Sequence, residues 1–165
     1  MTLKVISTAC PRTLPYRYSE TAGLYRAFSM FEFSALLEID GVRGSLSFFH
    51  HMGCPYNGIS NPLGWPVKNY YNDAKKDLCG DGHDCLYAHG GEVEGLGRKL
   101  TPGECDDFLR GSMREAGLTR FKAGLVDRMV RIPLVHLLHF GKDRDKEGMH
   151  LSTRLEWKEV GHGHR

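Results

Sequence analysis

The chain has no apolar run long enough to cross a bilayer. Its first residues, Met1 to Ile6, lack the apolar core of a secretory signal. Both absences lead to the expectation of a cytoplasmic location with no transmembrane segment. Charge of one sign is also missing: the formal net charge is +2 with histidine neutral. That removes any general electrostatic pull towards nucleic acid, so none is expected as a partner. Cysteine is sparse and odd in number, at Cys10, Cys54, Cys79, Cys85 and Cys105, with no Cys-x-x-Cys pair. A complete disulfide framework is excluded, and reduced thiols serving as small core residues are expected. Cys79 and His83, four apart, could join Cys54 or His51 at a zinc ion, but ligand pairs at finger-like spacing are missing. Neither a phosphate-binding glycine loop nor a nucleophilic-serine motif occurs, and there is no internal repeat.

What is present suits one globular unit. At 165 residues, 41% hydrophobic and 25% charged, the chain can bury a sizeable core. The expected fold is α+β: a β-hairpin packed on a three-helix core, with a C-terminal strand pair. Residues 1–29 are broken by Pro11, Pro15 and Gly23 and read as an N-terminal arm or short helix. Residues 30–133 form the core domain, and 134–165 a strand extension.

The alternation of Phe31, Phe33, Ala35, Leu37 and Ile39 with Glu32, Ser34, Glu38 and Asp40 predicts a half-buried strand. Asp40-Gly41 is a hairpin turn signal, and a second strand follows near Ser45–His50. Residues 53–69 read as an ordered Gly- and Pro-rich loop. Tyr70 to Tyr87 looks mostly helical, with Asp81 as an alternative start and cap. Thr101-Pro102-Gly103-Glu104 has the spacing of a capping box with Pro at the first helical position. The helix it opens is expected to run to Ala116, with Asp106 inward and Asp107 in solvent. Thr119 caps a third helix, whose Phe121, Leu125, Val126 and Met129 are expected to face the core. Strands are expected at Leu134–Phe140 and Leu151–Trp157.

The most informative feature is His83-Asp84-Cys85-Leu86-Tyr87, followed by Asp106. A neutral histidine takes a proton near neutral pH, and a carboxylate on its other nitrogen fixes the tautomer. On a helix, positions 83 and 87 share a face. Asp84 points away, where it could hold a cation. Asp106, on a second helix, could orient His83. The same residues also fit a satisfied buried polar network.

Three blocks carry a resemblance. They are Gly53-Cys54-Pro55-Tyr56-Asn57-Gly58-Ile59-Ser60-Asn61-Pro62, then His83-Asp84-Cys85-Leu86-Tyr87, then Glu104-Cys105-Asp106 with Leu109 and Met113. In order and spacing they resemble a small domain family of unknown function found mostly in bacteriophages and prophages. Its pattern is roughly G-F-x-x-D-G-A-S-x-P, H-D-x-L-Y and E-A-D. The match covers about residues 33–132. Asn57 stands where the family has Asp, Cys105 where it has Ala, and Gly80 and Gly82 where it has apolar residues. The set is more distantly similar to secreted calcium-dependent phospholipases and the lipase domain of parvovirus capsids. That similarity implies His83 as base, Asp84 as calcium ligand, Asp106 as the orienting acid and Tyr87 as a donor to Asp106. Gly53–Gly58 is then the candidate calcium loop.

The resemblance leads to two expectations. One is a phage or prophage virion or accessory protein, with other virion proteins or further copies of itself as partners. The other is a hydrolase acting on an ester or amide of the cell envelope, with calcium as its candidate cofactor.

Overall fold

The computed structural model describes residues 2–11, 15–19, 24–56, 74–131, 133, 140–141 and 151–161. Its strands, in chain order, are β1 (Leu3–Ala9), β2 (Tyr16–Ser19), β3 (Leu24–Ala27), β4 (Phe31–Ile39), β5 (Val42–His50), β6 (Pro55–Tyr56) and β7 (Arg154–Glu159). The helices are α1 (Ala74–Ala88), α2 (Pro102–Glu115) and α3 (Arg120–Val130). The chain is α+β.

The hairpin of β4 and β5 is the centre of the molecule. Its antiparallel register runs from Phe31 opposite His50 to Ile39 opposite Val42. Asp40 and Gly41 both have positive φ, 51° and 85°. A tight turn with two left-handed residues matches the twist of the flanking strands. Period-two alternation buries Phe33, Ala35, Leu37 and Ile39 on β4, and Leu46, Phe48 and His50 on β5.

β1 pairs with β4 and β7 pairs with β5, both antiparallel, giving a sheet of order β1-β4-β5-β7. Residues 3–9 are therefore a strand, not an arm or helix. The expected boundaries at 29/30 and 133/134 separate strands that share one hydrogen-bonded sheet. A register shift between Val5 and Ser7 breaks the regularity of edge strand β1. Edge strand β7 carries exposed Arg154 and Lys158. Bulges and charges of this kind discourage pairing with another chain. β7 takes its partner from β5; the strand expected at Leu134–Phe140 falls largely outside the described residues. A smaller sheet, β2-β3-β6, lies alongside.

α1 lies close against the sheet because Gly82 has no side chain. A Cβ there would stand 3.0 Å from Phe33 Cε1 and 3.2 Å from rings of both Phe48 and Phe108. That contact accounts for glycine at this helical position. Gly44 does the same for β7, since the Trp157 indole occupies the space of a Cβ. α1 begins before Asp81, so Asp81 is a buried mid-helix residue and not a cap.

α2 opens as expected. Thr101 caps it, with both halves of the capping box present. Cys105, Phe108, Leu109, Ser112 and Met113 are buried along it. Asp107 is not in open solvent: Arg131 reaches it at 2.6 Å and Arg110 at 2.7 Å. α3 is capped by Thr119, and Val126 packs inward as expected, but Phe121 and Leu125 do not. Phe121 is 82% exposed and Leu125 is 39% exposed. Ala123 and Asp127 are buried instead, with Val126 and Val130 packed alongside. Arg131 Nε donates to Asp127 at 2.7 Å and Arg110 approaches it at 3.5 Å. Asp127 thus faces arginines of α2 and of the end of α3, where the apolar periodicity would place Phe121 or Leu125.

Candidate functional site

Helix α1 carries His83, Asp84 and Tyr87, and α2 carries Asp106. The start of α2 is held firmly. Arg98 donates from Nη1 to Glu104 Oε2 at 2.9 Å and from Nη2 to Glu104 Oε1 at 2.7 Å. Glu104 Oε2 also accepts from the Thr101 backbone N–H at 2.8 Å. Burial would raise the Glu104 pKa, but the Arg98 and Thr101 bonds outweigh it and hold the pKa below the ordinary glutamate value. Asp106 follows within the next turn and is completely buried.

The structure brings the four expected residues together. His83 Nε2 lies 3.2 Å from Asp106 Oδ1, and Tyr87 donates its hydroxyl to the same oxygen at 2.6 Å. His83 Nδ1 lies 3.1 Å from Asp84 Oδ1. The His83 and Tyr87 rings stack at a tilt, centroids 4.3 Å apart. Phe140 meets the Tyr87 ring edge-on at 5.4 Å. His83 is 6% exposed. The Asp84 side chain, 29% exposed, is the member nearest to solvent.

Burial opposes a charge on His83, but hydrogen bonds to Asp106 and then Asp84, with the field of both carboxylates, outweigh it. The His83 pKa is raised above the ordinary histidine value. A charged imidazole donates from both nitrogens, which this geometry satisfies in full. Burial, together with its bond to Asp106, drives the Tyr87 pKa far up, so its hydroxyl stays protonated as a donor. A general base needs a lone pair facing its substrate. With Asp84 where it stands, both His83 nitrogens face carboxylates.

The metal expectation concerned Asp84. Calcium takes six to eight oxygen ligands. Asp84 is turned onto His83, and of the candidate loop Gly53–Gly58, residues 57 and 58 lie outside the described residues. Among the described residues no group of three or more His, Cys, Asp or Glu is placed to hold a metal ion. The five cysteines are thiols, none in a disulfide. No helix among the described residues is long and apolar enough to cross a membrane.

Sequence reasoning missed a second buried pair. His50 Nε2 lies 3.1 Å from Asp81 Oδ2, with both side chains almost fully buried. The signal was available, because His50 continues the inward parity of Leu46 and Phe48 on β5.

No protein-family model, curated protein or solved structure matches the chain.

Proposed function

We propose that the chain is a phage- or prophage-type virion or accessory protein in which His83, Asp84, Tyr87 and Asp106 form a charged clamp between α1 and α2. The observation that carries the reading is the engagement of both His83 nitrogens by carboxylates. A buried imidazolium between two carboxylates ties helices together, and removing it leaves Asp106 buried without its cation. The phage assignment rests on the three motif blocks and their order. It is tested by inducing a strain that carries the gene and purifying the particles. The chain is expected to co-sediment with them at a fixed ratio to the capsid protein. Its complete absence from particles and from particle precursors would overturn the virion role.

A hydrolytic reading is favoured by one observation. Asp106 joins His83 Nε2 and the Tyr87 hydroxyl through one oxygen, as the phospholipase resemblance requires, and only Asp84 covers Nδ1. In that reading Asp84 swings outward and frees Nδ1 to accept a proton from water. Release of fatty acid from phospholipid vesicles, abolished by His83→Gln in a folded protein, would establish it. No turnover with or without calcium leaves the clamp.

A further inference from the structure

A second polar cluster lies where β5 ends and the segment leading into β7 begins. His50 points inward, with Nε2 at 3.1 Å from Asp81 Oδ2 on α1. Its Nδ1 lies 3.3 Å from Thr153 Oγ1 and 3.3 Å from the Tyr16 hydroxyl on β2. Phe31 on β4 stacks on the ring, centroids 4.4 Å apart and planes within 3°. Thr153 Oγ1 in turn lies 3.8 Å from Cys54 Sγ, which is also 3.0 Å from Ser152 Oγ. His50, Asp81, Thr153 and Cys54 are buried, whereas Ser152 is exposed. The thiol therefore sits just beneath the surface, at the top of a chain of proton-carrying groups.

One tautomer of His50 gives that chain a direction. With Nε2 protonated, 3.1 Å from Asp81 Oδ2, Nδ1 presents a lone pair and accepts from a hydroxyl. Thr153 then donates to His50, and its own lone pairs face the Cys54 S–H. A proton moves from Cys54 to Thr153 and from Thr153 to His50. It leaves a thiolate and an imidazolium, which Asp81 stabilises. Among the described residues, the charged or titratable groups facing His50 are Asp81 from α1 and Tyr16 from β2. Cys54 reaches it through Thr153, and β4 contributes only the Phe31 ring.

We propose that Cys54 is a reactive nucleophile, with Thr153, His50 and Asp81 as its proton relay, and that it exchanges with disulfides. The thiolate attacks one sulfur of a disulfide R–S–S–R. The S–S bond breaks as the Cys54–S–S–R bond forms. The departing RS⁻ takes the proton back from His50 through Thr153 and leaves as RSH. Cys54 is oxidised and the departing half is reduced, with no other reactant. Disulfide exchange needs a thiolate attacker and an acid for the leaving thiolate, and the relay supplies both.

The test is incubation of the full chain with oxidised glutathione across a range of pH, each cysteine being followed by peptide mass spectrometry. Half-buried Cys10 is the internal reference. Cys54 is expected to react about tenfold or more faster than Cys10 near neutral pH, with a pH–rate midpoint below the ordinary thiol value of about 8.5. Thr153→Val keeps the side-chain shape and removes the hydroxyl; it is expected to slow Cys54 by about tenfold and return the midpoint to the ordinary value. Should that variant fail to fold, the parent's pH–rate profile decides alone. A Cys54 slower than Cys10, a midpoint at or above the ordinary value, or a folded Thr153→Val protein reacting like the parent overturns the proposal.

Discussion

Asp81 and His83 stand two residues apart on α1 and serve different neighbours. Asp81 meets His50 at the end of β5, at 3.1 Å, and His83 meets Asp106 on α2, at 3.2 Å. One helix thus brings a charged side chain to the sheet and another to the helix layer. Both contacts are buried, so deleting one partner of either leaves the other without its counter-charge in the interior.

Removing the imidazole from the clamp strands Asp106, which has no exposed surface. His83→Ala is expected to cost about 3–5 kcal/mol, as when one partner of a buried ion pair is deleted. Urea unfolding followed by circular dichroism measures it. A loss below about 1 kcal/mol, the size of a surface pair, would show that the clamp does not hold the helices.

The clamp also predicts a pH dependence. The His83 pKa is raised on folding, so its contribution to stability is complete below the unfolded value of about 6.5 and is lost as pH rises through the raised value. The unfolding free energy of the parent is expected to fall across that alkaline-going window. In His83→Asn this part of the slope should vanish, which parallel urea titrations at several pH values would reveal.

Tyr87 donates to a buried, charged acceptor at 2.6 Å. Tyr87→Phe keeps the ring against His83 and Phe140 and removes only the hydroxyl. The expected loss is about 1.5–3 kcal/mol, the range for hydrogen bonds to charged groups. Unchanged thermal stability in this variant would mean that Asp106 finds an equivalent donor.

Two helical glycines should respond in opposite directions to the same change. Gly82→Ala adds a methyl group 3.0 Å from Phe33 and 3.2 Å from Phe48 and Phe108. Overpacking of about 1–3 kcal/mol outweighs a helix-propensity gain of about 1 kcal/mol, so the variant is expected to melt lower. Gly124→Ala on α3 meets nothing within 4 Å and is expected to melt higher, by the propensity gain alone. Differential scanning calorimetry of the two variants side by side checks both signs.

The parts of the fold legible in the sequence were those specified locally. Period-two alternation and Asp40-Gly41 define the hairpin, and Thr101 to Glu104 define the start of α2. The inward turn of Asp106 followed from its helical angle. What was hidden depended on partners far along the chain. β1 is a strand because β4 offers it an edge, and the only local hint in Leu3–Ala9 is its β-branched Val5, Ile6 and Thr8. The face of α3 was misread because Phe121 and Leu125 have core-like spacing, while Asp127 is drawn inward by Arg131 and Arg110. His83 was placed correctly beside Asp106, but the closure of its second nitrogen by Asp84 depends on a side-chain rotamer, which spacing does not encode.

The sheet order β1-β4-β5-β7 has a kinetic consequence. The inner hairpin is local and can form early, but its two flanks come from opposite ends of the sequence: Leu3 pairs with Ile39, and Trp157 with Leu46. During synthesis β5 therefore waits with one edge open until α1, α2 and α3 have all been made and β7 emerges. Long-range closure of this kind slows folding and leaves an unpaired strand available to the wrong neighbour in the meantime. The indole of Trp157, seated over Gly44, reports on the last step. In a Trp65→Phe background its fluorescence should change only when β7 docks, after the helical signal has already appeared.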